Sequence, residues 1–398
     1  MKIDCDVLVV GAGPAGLSTA IESAKNGLKT IIIEKSSEIG YPVKTSAATW
    51  MSVIQDFKIS KESICQTMDS IYIHSISSKK DVEVRWNQDV LCTLQFHKFL
   101  QELTFRAIRN GANLILPATV SDVLFEDSKI VGVVINTLNK TRKVRAKITI
   151  DASGPSAVIA KKLGRLDYKG RELGIGMEYE MKNVKLKNPK RMEFYVGYDV
   201  VPVGYGWVFP TGLNEARVGI CTIINNPTRE YEKFKKETGK DIYDCFDKLL
   251  NEHPIVSKIV KKAQPIEFHS GSYPLCGQIK KPYASGLLIV GDAAAQASPL
   301  LGEGIRFAMI CGRYAANIAR KAIKMNDYSE DALRDYQRKC EDYLGKKFDL
   351  SLDSLKIETD EYWDKTIEYI KQVKRDGNKE LILKYLMNEI DEDDYSTF

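Results

Sequence analysis

Three stretches of the 398-residue chain combine residue types and spacings that could do chemistry. The first is Gly11, Ala12, Gly13, Pro14, Ala15 and Gly16, a GxGxxG pattern after an apolar run and before a helical one, with Glu34 closing the next apolar run. Gly11 suits a tight turn, Gly13 lets a pyrophosphate approach the backbone, and Gly16 permits close helix–strand packing. The helix start offers N–H groups and positive dipole to phosphate, and Glu34 can accept hydrogen bonds from ribose hydroxyls.

The second stretch is LLIVGDAAAQASPLLGEG, which ends at Gly304. Asp292 follows an apolar strand and can take a hydrogen bond from a ribitol hydroxyl. The turn around Gly302 and Gly304 opens a further helix at Ile305, whose dipole favours negative charge on a reduced flavin. A pattern for the adenosine end and one for the ribitol end together imply FAD rather than NAD. The third stretch is GYGWVFP. On a strand, Tyr205, Trp207 and Phe209 project from one face. They could wall an apolar cavity or stabilise a transient cation through their π-faces, or they could simply fill the core.

The elements that must position these residues follow from periodicity. Residues 4–10 and 29–34 read as buried strands around a helix at 14–26, a β-α-β unit. A helix is expected at 96–110 and a strand at 113–116. Residues 119–126, 129–137 and 143–150 alternate as three antiparallel strands. A sheet of different character is expected from 174–181, 193–196, 206–209 and 216–223, and a buried strand at 287–290 precedes a helical stretch to 324. From 328 onward the chain reads as charged, helical and peripheral. Within it, residues 360–394 form two amphipathic helices, expected to pack on the protein's own surface rather than on a membrane.

The fold class expected is α/β: a Rossmann-like FAD domain with an inserted antiparallel-sheet substrate domain and C-terminal helices. The FAD domain takes 1–50, 91–165 and 276–327, the substrate domain 51–90 and 166–275, and the helical region 328–398.

Composition narrows the function classes. The 58 basic and 53 acidic residues leave a net charge of +5, too small an excess for a nucleic-acid binder. No apolar run reaches the roughly 18 residues of a spanning helix, and the first residues lack a signal-peptide pattern. The expectation is a cytoplasmic protein, with peripheral membrane contact left open. Eight scattered cysteines (5, 65, 92, 221, 245, 276, 311 and 340) form no C-x-x-C pair, so no metal site is expected. None of His74, His97, His253 and His269 sits in a catalytic pattern, and each is expected to be structural or solvent-facing.

With these motifs placed, the chain resembles the geranylgeranyl reductase family, within the para-hydroxybenzoate hydroxylase-like flavoproteins. The matching pieces are VLVVGAGPAG, IIIEKSSEIGYPV, the DASG ending at Gly154, GYGWVFPTG with ARVGI, and LLIVGDAAAQASPLLGEGI. The resemblance implies that FAD is bound by the glycine loop, Glu34, Lys35, Thr45, Val120, Asp292, Gly302, Gly304 and Ile305. It implies that Tyr205 and Trp207 line a prenyl tunnel, with Phe209 beside them. The reaction implied is saturation of isolated C=C bonds in a geranylgeranyl chain, with ferredoxin or NAD(P)H as electron donor. Two stretches depart from the family: Thr45 stands where many relatives carry cysteine, and Thr93 and His97 stand where they carry arginine and aspartate.

An isolated alkene accepts hydride only while it is being protonated, so the site must supply a proton, tolerate cation character and exclude water. No catalytic residue is legible. Two alternatives stay open beside the reductase: a flavin monooxygenase or dehydrogenase acting on another apolar substrate, and an FAD-containing protein without prenyl reductase turnover.

Overall fold

The first strand, Cys5–Val10, lies at the centre of a sheet, flanked in parallel by Thr141–Asp151 and Thr30–Ile33. Leu287–Ile289 extends this parallel core on one side and Asn113–Ile115 on the other. A computed structural model describes residues 4–138, 140–166 and 171–389. Helices Pro14–Lys25, Phe96–Arg109 and Ile305–Met325 cover one face of the sheet, the one that presents Val7, Val9 and Ile32. On the other face Leu8, Val10, Ile31 and Ile33 pack against Val123, Val133, Ile135 and Ile159, so the near-continuous Val and Ile runs are buried on both faces.

The strand Thr141–Asp151 serves two sheets. Its start pairs antiparallel with Lys129–Thr137, which pairs with Ala118–Glu126, and its end joins the parallel core. Asp151, wholly buried at that end, is a clamp. Its Oδ1 accepts the Ser153 hydroxyl at 2.5 Å, and its Oδ2 accepts the backbone N–H groups of Ile159 and Ala160 at 2.9 and 2.8 Å. Burial pushes its carboxyl up while these bonds pull it down, and the net shift is upward.

The second sheet has seven strands in the order Gln264–Pro274, Leu173–Lys182, Glu215–Ile224, Gly204–Gly212, Arg191–Val196, Ser70–Ser75 and Lys80–Arg85. Gln264–Pro274 went unread in the sequence because it is an edge strand with much of its length exposed, so no apolar alternation marks it. A three-stranded sheet of Ala48–Trp50, Leu91–Leu94 and Ile64–Met68 stands apart from both large sheets in its pairing.

The C-terminal region is not peripheral, and here the structure corrects the sequence reading. In the helix Asp335–Ser354 the residues Tyr336, Cys340, Leu344 and Phe348 recur every four positions and are all buried in the same core as the first β-α-β unit. The charge of the segment belongs to its other face. Tyr336 donates its hydroxyl to the Ile289 carbonyl at 2.9 Å. Helices Thr359–Arg375 and Lys379–Leu386 turn Trp363, Ile367, Ile370, Val373, Ile382, Tyr385 and Leu386 inward against the edge of the second sheet. Residues 390–394 of the anticipated second helix lie outside the described residues. Among the described residues no helix is long and apolar enough to cross a membrane.

Tyr336→Ala empties a fully buried site and orphans the Ile289 carbonyl. It should cost about 3–5 kcal/mol, as other buried aromatic truncations do. Chemical denaturation of the variant checks this, and a loss below about 1 kcal/mol would return the helix to the periphery.

Candidate active site

Between the parallel sheet and the seven-stranded sheet lies a cavity of about 790 Å3. Its wall takes residues from the first glycine loop, from the 34–46 segment, from the turn before Ile305–Met325, and from strands of the second sheet.

The glycine loop forms as its sequence requires. Gly11 has φ +106°, and a Cβ there would sit 2.3 Å from the Ala152 carbonyl oxygen. Gly16 does not line the cavity. It is pressed against the loop from behind, where a Cβ would lie 2.0 Å from the Gly11 oxygen. Gly13 is the opposite case: nothing lies within 4 Å of where its Cβ would be, and the residue faces the cavity.

Ala12, Pro14 and Ala15 also line the wall, as do Glu34, Lys35, Thr45 and Val120. The Glu34 carboxylate is held by two backbone donors, Ala12 N–H at 2.9 Å and Ser36 N–H at 2.8 Å. This fixes its rotamer and leaves further lone pairs for hydroxyl donors. Thr45 caps its own turn by accepting the Ala47 N–H at 3.0 Å. Lys35 Nζ stands 3.5 Å from the Ser156 hydroxyl. Asp292, Gly302, Gly304 and Ile305 line another part of the wall. Burial pushes the Asp292 carboxyl up to about 6.

Tyr205, Trp207 and Phe209 all reach the cavity from Gly204–Gly212. Their rings run in sequence, with centroids 5.8 Å apart for Tyr205–Trp207 and 5.6 Å for the stacked Trp207–Phe209 pair. They also belong to a core cluster, so wall and core filling coincide. Tyr205 donates its hydroxyl to the Leu301 carbonyl at 2.7 Å, tying the aromatic strand to the turn before Ile305–Met325.

Thr93 is not on the cavity wall. It is fully buried and donates to the Pro210 carbonyl at 2.7 Å, which ties the three-stranded sheet to the aromatic strand. His97 also lies off the wall, paired with Glu38 at 3.0 Å.

The sequence reading missed a cluster beneath the aromatic string. Glu178, only 2 % exposed, lines the cavity and accepts the Trp207 indole N–H at 2.9 Å. Its other oxygen lies 2.8 Å from His269 Nδ1. Arg217, equally buried, donates to Glu180 at 3.0 Å and lies 3.9 Å from Glu178. Burial alone lowers the His269 imidazole, but the bond to Glu178 and its charge outweigh this and the net shift is upward. Glu180, Glu267 and His269 bring ligand atoms within 4.8 Å of one another, but Arg217 already supplies the counter-charge there. The legible signal was a glutamate at 178 inside the stretch 174–181 read as a strand; His269 had none, since its strand was not recognised.

The residues present fit a flavin dinucleotide: an open glycine cradle that a side chain would fill, an oriented carboxylate at the end of the second strand, and a half-buried aspartate near a helix start. Fold and site together define an FAD-dependent oxidoreductase of the para-hydroxybenzoate hydroxylase-like class. A family model described as FAD dependent oxidoreductase matches residues 6–195, and one described as geranylgeranyl reductase catalytic domain matches residues 172–272. Digeranylgeranylglycerophospholipid reductase of Methanocaldococcus jannaschii is 37% identical over 84% of this chain and 81% of its own. That of Picrophilus torridus is 31% identical over 94% and 93%. A geranylgeranyl bacteriochlorophyll reductase-like structure from Thermoplasma acidophilum superposes with a TM-score of 0.81 at 29% identity, covering 92% of this chain and 90% of that one. A flavin-dependent brominase shares the fold at TM-score 0.77 and 18% identity. The chain belongs to the geranylgeranyl reductase family.

Gly13→Val adds a side chain where the protein has room and the cofactor does not. It should leave the melting temperature of the apoprotein nearly unchanged and weaken FAD binding by on the order of 100-fold, about 2.7 kcal/mol. An absorption spectrum of the purified variant checks this, and a fully yellow preparation counts against the cradle.

The raised Asp292 carboxyl is favoured neutral in the folded state. Its contribution to apoprotein stability is therefore complete below the ordinary carboxyl value of 3.8 and is lost as pH rises through about 6. Asp292→Asn should flatten that part of the pH–stability curve, and superimposable wild-type and variant melting curves from pH 4 to 7 would refute it.

Proposed function

We propose that this enzyme saturates isolated C=C bonds in the geranylgeranyl chains of a glycerophospholipid. The observation that carries the reading is the placement of Tyr205, Trp207 and Phe209 on the wall of the same cavity as the open Gly13 cradle. FAD is assigned to Gly11, Ala12, Gly13, Pro14 and Ala15 with Glu34, Lys35, Thr45 and Val120, and to Asp292, Gly302, Gly304 and Ile305. When bound and reduced, it supplies a hydride. The names of the relatives, and the match to the catalytic-domain family model, support the substrate class.

The chain's own residues have three tasks. The glycine loop and Glu34 anchor the dinucleotide so that its redox end is presented to the apolar part of the cavity. The aromatic rings exclude water, which would otherwise trap an alkene that gains positive character, and their π-faces stabilise that character. Tyr205, bonded to Leu301, keeps the aromatic strand in register with the turn before Ile305–Met325. Residues 1–50, 91–165 and 276–327 are assigned to cofactor binding, and 51–90 and 166–275 to the substrate. Electrons are assigned to ferredoxin or a nicotinamide donor. A substrate with long isoprenoid chains resides in a bilayer, so the enzyme is expected to meet it by peripheral contact, which liposome co-sedimentation of the full chain measures.

The decisive experiment is mass spectrometry of a geranylgeranyl glycerophospholipid incubated anaerobically with the holoenzyme and a reductant. A gain of two hydrogens per double bond is expected. An added oxygen on admission of air would make the enzyme a monooxygenase, and unchanged lipid would remove the reading. Trp207→Leu keeps an apolar wall without the π-face or the indole N–H. It should lower turnover by about 10–100-fold, from a lost cation–π contact and a buried donor together worth about 2 kcal/mol, while FAD content is retained.

A further inference from the structure

The geometry points to Glu178 and His269 as the pair that delivers the proton to the alkene, with Glu267 linking the pair to solvent. This rests on the reading of the cavity as an alkene-reducing site.

The pair stands on the cavity wall itself: both residues line it and each is 2 % exposed, so bulk water does not reach them directly. Glu178 Oε1 lies 2.8 Å from His269 Nδ1, within reach of a shared proton. Its Oε2 accepts the indole N–H of Trp207 at 2.9 Å, so the carboxyl is locked beside the central ring of the aromatic string. On the far side of the imidazole, Nε2 lacks a well-formed hydrogen bond but lies 3.4 Å from the Glu267 carboxylate, whose side chain is 40 % exposed. A buried donor on the cavity side and an exposed carboxylate on the solvent side make a path for one proton. Among the described residues, His269 is the one histidine on the cavity wall.

Every charged group facing the imidazole has a part. Glu178 and Glu180 come from Leu173–Lys182, Arg217 from Glu215–Ile224, and Glu267 from the strand of His269 itself. Glu178 and Glu267 favour the imidazolium. Arg217 opposes it but is drawn off by Glu180. The pair is therefore placed to hold a proton at a wall where each residue is 2 % exposed, as a general acid must.

In the step, His269 enters as imidazolium. Its Nδ1 proton passes to Glu178 Oε1 and on to one alkene carbon as the C=C π bond breaks. The other carbon would take the hydride that bound, reduced FAD supplies, the cofactor thereby losing two electrons. Two C–H bonds have formed and the imidazole is neutral. It recovers a proton from solvent through Glu267, with one tautomer exchange returning the proton to Nδ1.

Two measurements on the FAD-loaded full chain test this. The first is NMR titration of 13C-labelled histidine. The chain has only four histidines, and His269→Gln assigns the signal. His269 should titrate above the ordinary 6.5 in the native protein and fall below it in Glu178→Gln. A native His269 that titrates at or below 6.5 overturns the pair without the use of any variant.

The second is anaerobic single turnover of photoreduced holoenzyme with a geranylgeranyl lipid. Glu178→Gln and His269→Gln should each slow alkene reduction by about 10²–10⁴-fold, with flavin spectrum and substrate half-saturation unchanged. The double variant should be little slower than either single one, because the two act as a unit. Imidazole should partly rescue His269→Ala. Native-like single turnover in His269→Gln overturns the proposal and leaves the enzyme's function standing. Absence of any reduction by the native enzyme overturns the functional reading instead.

Discussion

The close approach of two backbones at Gly11 is the constraint on which the site is built. The loop must turn between the end of Cys5–Val10 and the start of Pro14–Lys25 while Ala152 crosses over it, and a Cβ at Gly11 would lie 2.3 Å from the Ala152 oxygen. Ala152 is in place because Asp151, one residue earlier, spends its whole buried carboxylate on Ser153, Ile159 and Ala160. The dinucleotide loop thus depends on a strand more than a hundred residues downstream, itself the last of an antiparallel meander. Without that clamp the Gly13 N–H and its neighbours would have no fixed direction in which to present their dipole.

The opposite wall follows a different economy. A sheet of seven strands buries Trp207 and Phe209, and beneath them it buries charge as well: Glu178, Arg217 and most of Glu180. Buried ions rarely repay their desolvation in stability. Their arrangement against a cavity wall, each with an identified partner, is what a site needs if it must hold a proton where water is kept out. The turn before Ile305–Met325 is secured in the same manner. Glu303 accepts the Trp50 indole N–H at 3.1 Å and pairs with the buried Arg306, which also bonds Glu389 and the Met387 carbonyl from the end of the described chain. The C-terminal helices are in this way mechanically continuous with the cavity, and Trp363 reaches Tyr205 edge to face at 6.3 Å.

Where one local rule governs, the residues could be read in order. The β-α-β unit, the meander and the strand of Tyr205, Trp207 and Phe209 were legible, because period and turn chemistry there agree with the fold. The helix Asp335–Ser354 was misread as peripheral because its charge was weighed above the four-residue spacing of Tyr336, Cys340, Leu344 and Phe348. The edge strand Gln264–Pro274 was not read at all, because an exposed edge buries too little to impose alternation. With it the place of His269 on the cavity wall was missed, and so was its meeting with Glu178, 91 residues earlier in the chain.

By itself the sequence determined the cofactor, since the glycine and aspartate patterns that mark an FAD protein lie in short runs and can be read without the rest of the chain. It determined the aromatic wall for the same reason, since alternation along one strand sets which rings share a face. Only the tertiary structure decided which charges meet. Glu178 and His269 become neighbours through the register of two antiparallel strands, and Arg217 joins them from a third. A register is fixed by the packing of whole sheets, and no short run of residues carries it.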